Sequence, residues 1–340
     1  MTKLDERAAA PLTAAEATSA MDSQNLPRNP GGDLDLDWVA SLRVNRSAVE
    51  RRAASIGARR SVKKQWQAAW LIRALECIDL TTLAGDDTPG RVRRLCAKAR
   101  APLSCETLNA LGLDGRVVTT AAVCVYHEMI APAVTALKGS GIPVAAVSTG
   151  FPAGQTPFDL KVMEIARSVA AGAREIDIVI SRKHVLCGDW QALYDEVRAF
   201  REACADAHMK TILATGDLKT LRAVAKASAV CMMAGADFIK TSTGKEDANA
   251  TLPVSLVMMR MVRDYFERTG YRVGFKPAGG IGSAKDALNY LFLVKEELGS
   301  RWLRPDLFRF GASSLLGDIE RQLDHFARGA YSADYLHPIG

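Results

Sequence analysis

The chain has 340 residues, of which 48% are hydrophobic and 24% are charged, and it carries a formal net charge of +6. These proportions are typical of a soluble globular protein. No run approaches 18 consecutive apolar residues, so the sequence predicts no membrane-spanning helix. The length allows one large domain or two ordinary ones.

The N-terminus and the cysteines indicate an intracellular protein. No apolar segment of the kind found in signal peptides follows Met1, and Asp5 and Glu6 are unfavourable in a transit peptide. The seven cysteines are odd in number and widely spaced, without a CxxC pair, which is typical of free thiols. We therefore expect a cytoplasmic protein, because the cytoplasm keeps thiols reduced.

The first 76 residues are predicted to be a tail followed by helices. Residues 1–30 are rich in Ala, Thr, Pro and Gly and show no periodicity, so we expect disorder there. Residues 31–76 are predicted to be helical. One apolar stripe at helical spacing is predicted to face the core, and it consists of Val62, Trp66, Ala69, Trp70 and Ala74.

A basic segment at residues 46–64 has two interpretations. It resembles a nucleic-acid patch in charge, but it lacks interleaved aromatic residues and any known binding motif. We interpret it as the solvated faces of helices, and we predict no nucleic-acid partner.

From residue 77 onward, short β-branched runs alternate with helical segments. Eight such runs begin at Cys77, Val118, Pro143, Glu175, Lys210, Asp237, Val273 and Leu307. The alternation indicates βα units around a parallel sheet, and eight near-equal units favour a (β/α)8 TIM barrel over a doubly wound sheet. We predict a barrel over residues 77–328, an N-terminal helical extension over 31–76 that covers its bottom, and a tail over 329–340.

Two of these runs contain a lysine that the barrel would enclose. Side chains alternate along a strand, so Lys240 points away from Ile239 and into the barrel. Lys276 lies at a matching height on the next strand, about 4.8 Å away. In EIDIVI, Ile176 faces the helices and Asp177 faces inward. Because barrel active sites lie at the C-terminal ends of the strands, these polar side chains are predicted to meet there.

Two enclosed lysines and one aspartate suit a reaction that needs a neutral amine. Burial and a neighbouring ammonium group both lower the pKa of a lysine, and a neutral amine is the nucleophile that forms a Schiff base with a carbonyl. Asp177 can pair with the lysine that stays charged and relay protons. The structural alternative is an ion-paired lysine that only fills the barrel mouth.

Glycine-rich segments after the sixth, seventh and eighth strands predict a phosphate site. In such barrels the loops after the last two strands often bind phosphate, because free backbone N–H groups and a helix dipole attract an anion. The predicted phosphate-binding residues are Gly244, Lys245, Gly279, Gly280, Ser313 and Ser314. The structural alternative is that these residues only cap helices.

Four further residues are candidates for contact with the substrate. They lie at the ends of the first, second and sixth strands, and they are Asp79, Thr81, Cys124 and Thr243. For Cys124, a packed thiol is an equally good interpretation. No metal site is predicted, because the five histidines form no ligand set and HEMIA at His127 lacks the second histidine of HExxH. Carbonyl activation therefore falls to a lysine, and no cofactor is expected.

The motifs DFIKTSTGK, GFKPAGGI, EIDIVI, CIDLTTL and RFGASSLL together resemble the deoxyribose-phosphate aldolase family of class I, Schiff-base aldolases. The segments NPGGDLDLDWVASLRVN and SVKKQWQAAWLIRALECIDLTTLAGDDT resemble the longer, animal-type branch of that family. The similarity extends from about residue 29 to about residue 330. It implies reversible cleavage of 2-deoxy-D-ribose 5-phosphate to D-glyceraldehyde 3-phosphate and acetaldehyde, in the catabolism of deoxynucleosides and deoxyribose phosphate.

The resemblance also implies roles for individual residues. Lys240 matches the Schiff-base lysine, Lys276 the second lysine that lowers its pKa, and Asp177 the proton-relay aspartate. The six predicted phosphate-binding residues match the phosphate-binding positions of the family. The C-terminus departs from short bacterial members, which can end on a tyrosine, so Tyr331 and Tyr335 are only loose candidates for a role in proton transfer.

Two other functions compete with this prediction. A transaldolase-like enzyme would share the Schiff-base lysine but would act on ketose phosphates. A catalytically silent sugar-phosphate binder would have lost a catalytic residue, and none is lost here. In each case the expected partners are small sugar phosphates and aldehydes, not nucleic acid or membrane, and a homo-oligomer is compatible with the sequence.

Overall fold

The computed structural model describes residues 28–337, and within that range it contains the eight predicted strands. They are β1 Ile78–Thr81, β2 Ala122–Val125, β3 Val144–Ser148, β4 Glu175–Val179, β5 His208–Ile212, β6 Phe238–Lys240, β7 Gly274–Lys276 and β8 Phe310–Ala312. All neighbouring strands are parallel, in the order β7-β6-β5-β4-β3-β2-β1-β8. Bridges from Phe275 to Phe308 and from Ala278 to Gly311 join the two edges. The predicted (β/α)8 barrel is confirmed.

Helices follow the strands and surround the barrel. The N-terminal helices are α1 Leu36–Ser41, α2 Arg46–Ala54, α3 Ile56–Arg59 and α4 Lys64–Glu76. The barrel helices are α5 Pro89–Arg100, α6 Cys105–Ala110, α7 Ile130–Leu137, α8 Phe158–Ala170, α9 Arg182–Cys187, α10 Trp190–Ala203, α11 Leu221–Met233, α12 Leu252–Thr269, α13 Ala284–Glu297 and α14 Ser314–Arg328. Short 3-10 turns lie at His127–Met129, Ser300–Trp302 and Asp334–Leu336. None of the described helices is long and apolar enough to cross a membrane.

Side-chain hydroxyls fix where several helices begin. Thr88, Thr220 and Thr251 each accept a hydrogen bond from a backbone N–H in the first turn of the helix that follows. Such a bond satisfies a donor that the helix itself leaves unpaired. The loops above the strands therefore pass into helices at defined residues, which holds the loop ends in place.

The predicted start of the second strand is several residues too early. The run that begins at Val118 was expected to form it, but β2 begins at Ala122. Residues 118–121 precede the residues of β2 that pair with β1, and the backbone N–H of Ala121 donates to the carbonyl of Ile78. Thr119 and Thr120 have β-branched side chains like those of strand residues, so composition alone did not show where pairing starts.

The N-terminal helices pack on the outside of the barrel helices. Helix α2 contacts α12, and α4 contacts α13 and α14. Three arginines, Arg52, Arg59 and Arg60, form ion pairs with Glu296 of α13. The predicted disordered segment, residues 1–30, lies outside the described residues except for its last three, of which Asn29 donates its backbone N–H to Asp237 just before β6.

The predicted apolar stripe is wrong at two of its five positions, whereas Val62 and Trp70 are partly buried and pack against the core. Trp66 is 59% exposed and Ala69 is also exposed, whereas Ala74 is buried. The face that packs on α13 and α14 consists of Ala68, Leu71, Ile72, Ala74 and Leu75. Leucine and isoleucine side chains fill that contact, and the bulkier tryptophans flank it.

Alternation along the strands separates an apolar exterior from a charged interior. Ile176 and Ile178 of β4 and Ile239 of β6 belong to the large hydrophobic core between strands and helices. Asp177 and Lys240 lie on the opposite face, inside the barrel. A second, small apolar cluster of Cys124, Ala145 and Val147 also lies inside. The predicted orientation of Asp177 and Lys240 is therefore confirmed.

Candidate active site

The end of β6 and the end of β7 bring two lysines to one carboxylate. Lys240 and Lys276 are paired in the ladder between these strands. Each Nζ atom lies 2.8 Å from the same oxygen, Oδ2 of Asp177, and donates a hydrogen bond to it. All three side chains are buried, with Lys240 only 3% exposed. The sequence predicted that these three groups would meet, and the structure brings them together.

Below this triad lies a second set of charges. Lys210 of β5 donates to Glu175 and, over 3.0 Å, to Oδ1 of Asp177. Arg309, just before β8, donates to Asp79 of β1 and, over 2.8 Å, to Glu175. Lys276 donates to Asp79 as well as to Asp177. Residues from β1, β4, β5, β6 and β7, together with Arg309, thus form one connected network, which we call the charged layer.

The formal charges of the charged layer do not balance. It contains four cations and three carboxylates, which are Lys210, Lys240, Lys276 and Arg309 with Asp79, Glu175 and Asp177. If all were ionised, one positive charge would remain uncompensated in a buried site. Such a charge is costly, and a titratable group there tends to become neutral instead. The layer is neutral overall when one lysine is an uncharged amine.

Lys240 is the lysine that the environment favours as the neutral amine. Burial lowers its pKa, Lys276 lowers it further, and Asp177 only partly opposes them. Lys240 hydrogen-bonds to one carboxylate, whereas Lys276 hydrogen-bonds to two. Burial would also lower the pKa of Lys276, but Asp177 and Asp79 together raise it above the ordinary lysine value.

The remaining members of the charged layer stay ionised. Burial would lower the pKa of Lys210, but Asp177 and Glu175 raise it. Burial would raise the pKa of Asp177, but the three lysines hold it well below the usual range. Burial would also raise the pKa of Asp79, but Arg309 and Lys276 hold it below its usual range. The layer therefore combines one easily neutralised amine with fixed charges around it.

A cavity of about 650 Å³ opens above Lys240. Residues that follow β1, β6, β7 and β8 line it, and these four strands are neighbours around the barrel. All six predicted phosphate-binding residues line this cavity, namely Gly244, Lys245, Gly279, Gly280, Ser313 and Ser314. Of the three barrel lysines Lys210, Lys240 and Lys276, only Lys240 reaches the cavity wall.

The loops after β7 and β8 have the features of an anion site. Gly279 and Gly280 adopt φ values of 80° and 78°, which disfavour other residues. Ser313 precedes α14, and its side chain makes no capping hydrogen bond to that helix. The Ser313 hydroxyl and the first N–H groups of α14 are thus placed at the cavity, where the helix dipole favours an anion. The alternative that Ser313 only caps the helix does not match its side-chain contacts.

The loop after β6 contributes differently from what its sequence suggests. The backbone N–H of Gly244 donates to Glu246 over 3.2 Å, and that of Thr243 donates to the same carboxylate. Glu246 is itself paired with Arg182. The backbone N–H of Gly244 is therefore already paired, and the residue mainly allows a turn, with φ of 86°. Lys245 supplies the positive charge at this side of the cavity.

The four predicted substrate-contact residues occupy two levels. Thr81 and Thr243 line the cavity. Asp79 lies deeper, bound to Lys276 and Arg309. Cys124 is fully buried beside Ala145 and Val147, and burial raises the pKa of its thiol. Asp79 thus belongs to the charged layer, and Cys124 packs within the barrel.

Sequence reasoning missed Glu175, Lys210 and Arg309. The predicted site residues lie late in each strand, whereas Glu175 begins β4 and Lys210 lies in the middle of β5. Alternation puts both on the inner face, as it does Asp177 and Lys240. These residues could have been predicted by treating every charged residue on the inner face of a strand as a candidate, whatever its height in the barrel.

The tail and the histidines add nothing to the cavity wall in the part of the chain that the structure describes. Tyr331 stacks on His325, and Tyr335 is 82% exposed. Neither tyrosine lines the cavity. Among residues 28–337, no group of three or more His, Cys, Asp or Glu side chains is arranged to hold a metal ion.

Comparison with known proteins shows which aldolases the chain is similar to. A family model described as DeoC/LacD family aldolase matches residues 73–316. The chain is 61% identical over 311 residues to the deoxyribose-phosphate aldolase of Mus musculus, covering 91% of this chain and 98% of the mouse protein. It is 59% identical over 313 residues to that of Homo sapiens, covering 92% and 98% respectively.

A solved structure shows the same fold at lower identity. The tetrameric deoxyribose phosphate aldolase from Aeropyrum pernix has a TM-score of 0.56 and 23% sequence identity. The match covers 82% of this chain and 99% of that chain. The barrel is therefore shared over nearly the whole length of the solved chain.

Proposed function

The chain belongs to the DeoC/LacD family of aldolases, and we propose that it catalyses the reversible cleavage of 2-deoxy-D-ribose 5-phosphate to D-glyceraldehyde 3-phosphate and acetaldehyde through a lysine Schiff base. The substrate is proposed from the mouse and human relatives, which carry that substrate in their names. A role in the catabolism of deoxynucleosides follows from the same proposal, since they are a source of deoxyribose phosphate.

One observation carries the proposal of a Schiff base. Lys240 is the only one of the three barrel lysines that lines the cavity, and its pKa is lowered, whereas the pKa values of Lys210 and Lys276 are raised. A nucleophilic amine must be both neutral and accessible. Lys240 meets both conditions.

Imine formation uses the charged layer directly. The neutral Nζ of Lys240 attacks C1 of the open-chain sugar and gives a carbinolamine. Loss of water, with the ammonium group of Lys276 as the nearby proton donor, leaves a protonated imine at C1. Lys276 suits this role because it stays charged, and because it hydrogen-bonds to the same oxygen of Asp177 as Lys240 does.

Cleavage follows from the positive charge of the imine. The C3 hydroxyl loses its proton to water that Asp177 orients, and the electrons of the C2–C3 bond move toward the imine nitrogen. Glyceraldehyde 3-phosphate leaves with C3 as its aldehyde carbon, and an enamine remains on Lys240. Protonation at C2 and hydrolysis release acetaldehyde and restore the amine.

Phosphate binding positions the substrate for these steps. The glycine loops, Ser313 and the start of α14 lie on the cavity wall, with Lys245 at one side. Holding the phosphate there places C1 toward Lys240, and fixed orientation of this kind lowers the barrier without taking part in bond changes.

Borohydride trapping tests the proposal. The protein is incubated with acetaldehyde or 2-deoxyribose 5-phosphate, reduced with sodium borohydride, digested and analysed by peptide mass spectrometry. We expect a reduced adduct on Lys240 and none in a Lys240→Met variant. A Lys285→Met variant, which changes an exposed lysine of α13, serves as the matched control and should still be trapped.

Three results would contradict the proposal in different ways. An adduct on Lys276 would exchange the roles of the two lysines. Trapping with a ketose phosphate but not with deoxyribose 5-phosphate would favour a transaldolase-like reaction. Absence of an adduct from folded protein that still binds the sugar phosphate would leave a binding protein without this activity.

A further inference from the structure

The cavity wall carries cations on two opposite sides. Its cationic residues are Arg91, Lys240 and Lys245, and among the described residues that line it none is acidic. Lys240 is assigned to the imine, so Arg91 and Lys245 remain for the phosphate. Lys245 follows β6 and Arg91 follows β1, and between these strands lie β7 and β8 with their glycine and serine loops. The two cations therefore flank the predicted phosphate loops.

Two aspartates that do not line the cavity hold the side chain of Arg91 in place. Its Nη1 atom lies 2.9 Å from Asp86 and 3.4 Å from Asp87. Asp87 in turn accepts hydrogen bonds from the Thr82 hydroxyl and the Ala84 backbone N–H, which anchors the loop. Neither aspartate lines the cavity. Neither contact uses Nε or Nη2 of Arg91, so the planar group keeps donors for a ligand.

The backbone of Arg91 is fixed as well. It lies in the first turn of α5, and its backbone N–H donates to the hydroxyl of Thr88, the cap of that helix. Its side chain is 33% exposed and lies on the cavity wall. A guanidinium group held in this way loses little conformational freedom when it binds an anion.

The charge of the cavity matches a phosphate monoester. Such a group carries a charge of about −1.5 to −2 at neutral pH, and one lysine neutralises only part of it. We propose that Arg91 is a specificity-determining residue that binds the substrate phosphate opposite Lys245, and thereby selects phosphorylated over unphosphorylated sugars. This inference rests on the proposed function for the identity of the substrate, but the anion site itself does not depend on aldolase activity.

Binding of inorganic phosphate is the first test. Isothermal titration calorimetry compares the unmodified protein with Arg91→Gln and with Arg94→Gln, which changes an exposed arginine of the same helix that does not line the cavity. Charge-assisted hydrogen bonds are strong, so we expect Arg91→Gln to weaken binding about ten-fold or more and Arg94→Gln to change it less than about two-fold. Equal affinities of the two variants would overturn the proposal, whether or not the protein is an aldolase.

Kinetics supply the second test. For 2-deoxyribose 5-phosphate, Arg91→Gln should lower kcat/KM by about ten- to hundred-fold, which corresponds to about 1.4–2.8 kcal/mol. For unphosphorylated 2-deoxyribose, kcat/KM should stay within about two-fold of the unmodified protein, since that substrate lacks the group that Arg91 binds. An equal loss with both sugars would show that Arg91 only shapes the loop, which would overturn the proposal.

The two proposals fail in distinguishable ways. If the unmodified protein neither cleaves the sugar phosphate nor forms a borohydride adduct, the proposed function is wrong, and the phosphate affinities still decide the role of Arg91. If the protein is an active aldolase but Arg91→Gln binds phosphate normally and retains its preference for the phosphorylated sugar, only the inference about Arg91 is wrong.

Discussion

Gly311 of β8 lies directly against the aliphatic stem of Lys276. A Cβ atom at position 311 would lie 3.1 Å from Cε of Lys276 and 2.7 Å from Cβ of Ala278. Carbon atoms in contact are normally about 3.5–4.0 Å apart, so only glycine leaves the lysine its present path. The absence of a side chain on β8 thus allows Lys276 to reach both Asp79 and Asp177.

Replacing Gly311 with alanine should therefore disturb the charged layer. We expect Gly311→Ala to lower the free energy of unfolding by about 1–3 kcal/mol, as overpacking usually does, and to lower kcat about ten-fold or more because Lys276 is displaced. The matched control is Gly282→Ala in the same cavity wall, where the nearest atom to the new Cβ is Ser314 Oγ at 3.6 Å. Urea unfolding and steady-state kinetics check both variants, and equal behaviour of the two would contradict the assigned role of Gly311.

The second prediction concerns the pH dependence of the reaction. The ammonium group of Lys276 lowers the pKa of Lys240, so Lys276→Met should raise it. In the proposed reaction the neutral amine of Lys240 is the reactive form, and its fraction falls as pH drops below the pKa. A higher pKa therefore moves the acid limb of the kcat/KM profile to higher pH, and the rate at neutral pH should fall about ten-fold or more.

The position of the acid limb distinguishes a change in the pKa of Lys240 from the loss of Lys276 as a proton donor. Loss of the donor lowers the plateau of the profile, whereas loss of the neighbouring charge moves the limb along the pH axis. The exposed-lysine variant Lys285→Met should reproduce the unmodified profile. A lower plateau with an unmoved limb in Lys276→Met would show that the charge of Lys276 does not control Lys240.

The fold could be predicted because its signal is repeated. Eight similar strand–helix units gave the barrel even though the start of β2 was misplaced, since one shifted boundary does not change the number or order of the units. The burial of α4 could not be predicted in the same way. Its sequence contains apolar residues on several faces, and only contact with α13 and α14 decides that Leu71 and Leu75 are buried while Trp66 is exposed.

The meeting of the two lysines with Asp177 was predictable for a different reason than the contacts around them. A lysine at the end of an apolar strand is conspicuous, and alternation gives the direction of its side chain, so Lys240, Lys276 and Asp177 could be placed together. The pairing of Glu246 with the N–H groups of Thr243 and Gly244 had no such signal, because it depends on how one loop turns back on itself. Which aspartate binds which cation in the charged layer also depends on distances across the barrel that sequence spacing does not contain.

The third prediction concerns stability in acid. Folding lowers the pKa values of Asp79, Glu175 and Asp177, so near and below pH 4 the unfolded chain binds more protons than the folded one. Stability from these carboxylates is therefore complete above about pH 5 and is lost progressively as pH falls below that value. Urea unfolding at a series of pH values should show this loss.

An Asp79→Asn variant should change both the level and the slope of that curve. At neutral pH it should be less stable by about 3–5 kcal/mol, because Arg309 and Lys276 each lose a buried carboxylate partner. Below pH 4 it should lose less additional stability than the unmodified protein, since one of the shifted carboxyls is gone. Asp159→Asn, at an exposed position of α8, is the control and should follow the unmodified curve. A parallel acid curve for Asp79→Asn would contradict the ionised state assigned to Asp79.

The last prediction distinguishes a packed thiol from a substrate contact at Cys124. Cys105 and Cys187 are exposed, whereas Cys124 is buried and burial raises the pKa of its thiol. The thiolate is the form that reacts with alkylating agents, so iodoacetamide should modify Cys105 and Cys187 in the native protein and reach Cys124 only after denaturation. Peptide mass spectrometry measures the extent at each site, and a Cys105→Ser/Cys187→Ser variant should keep full activity and resist labelling. Rapid native labelling of Cys124 that the sugar phosphate blocks would instead place its thiol on the path of the substrate, as the sequence first suggested.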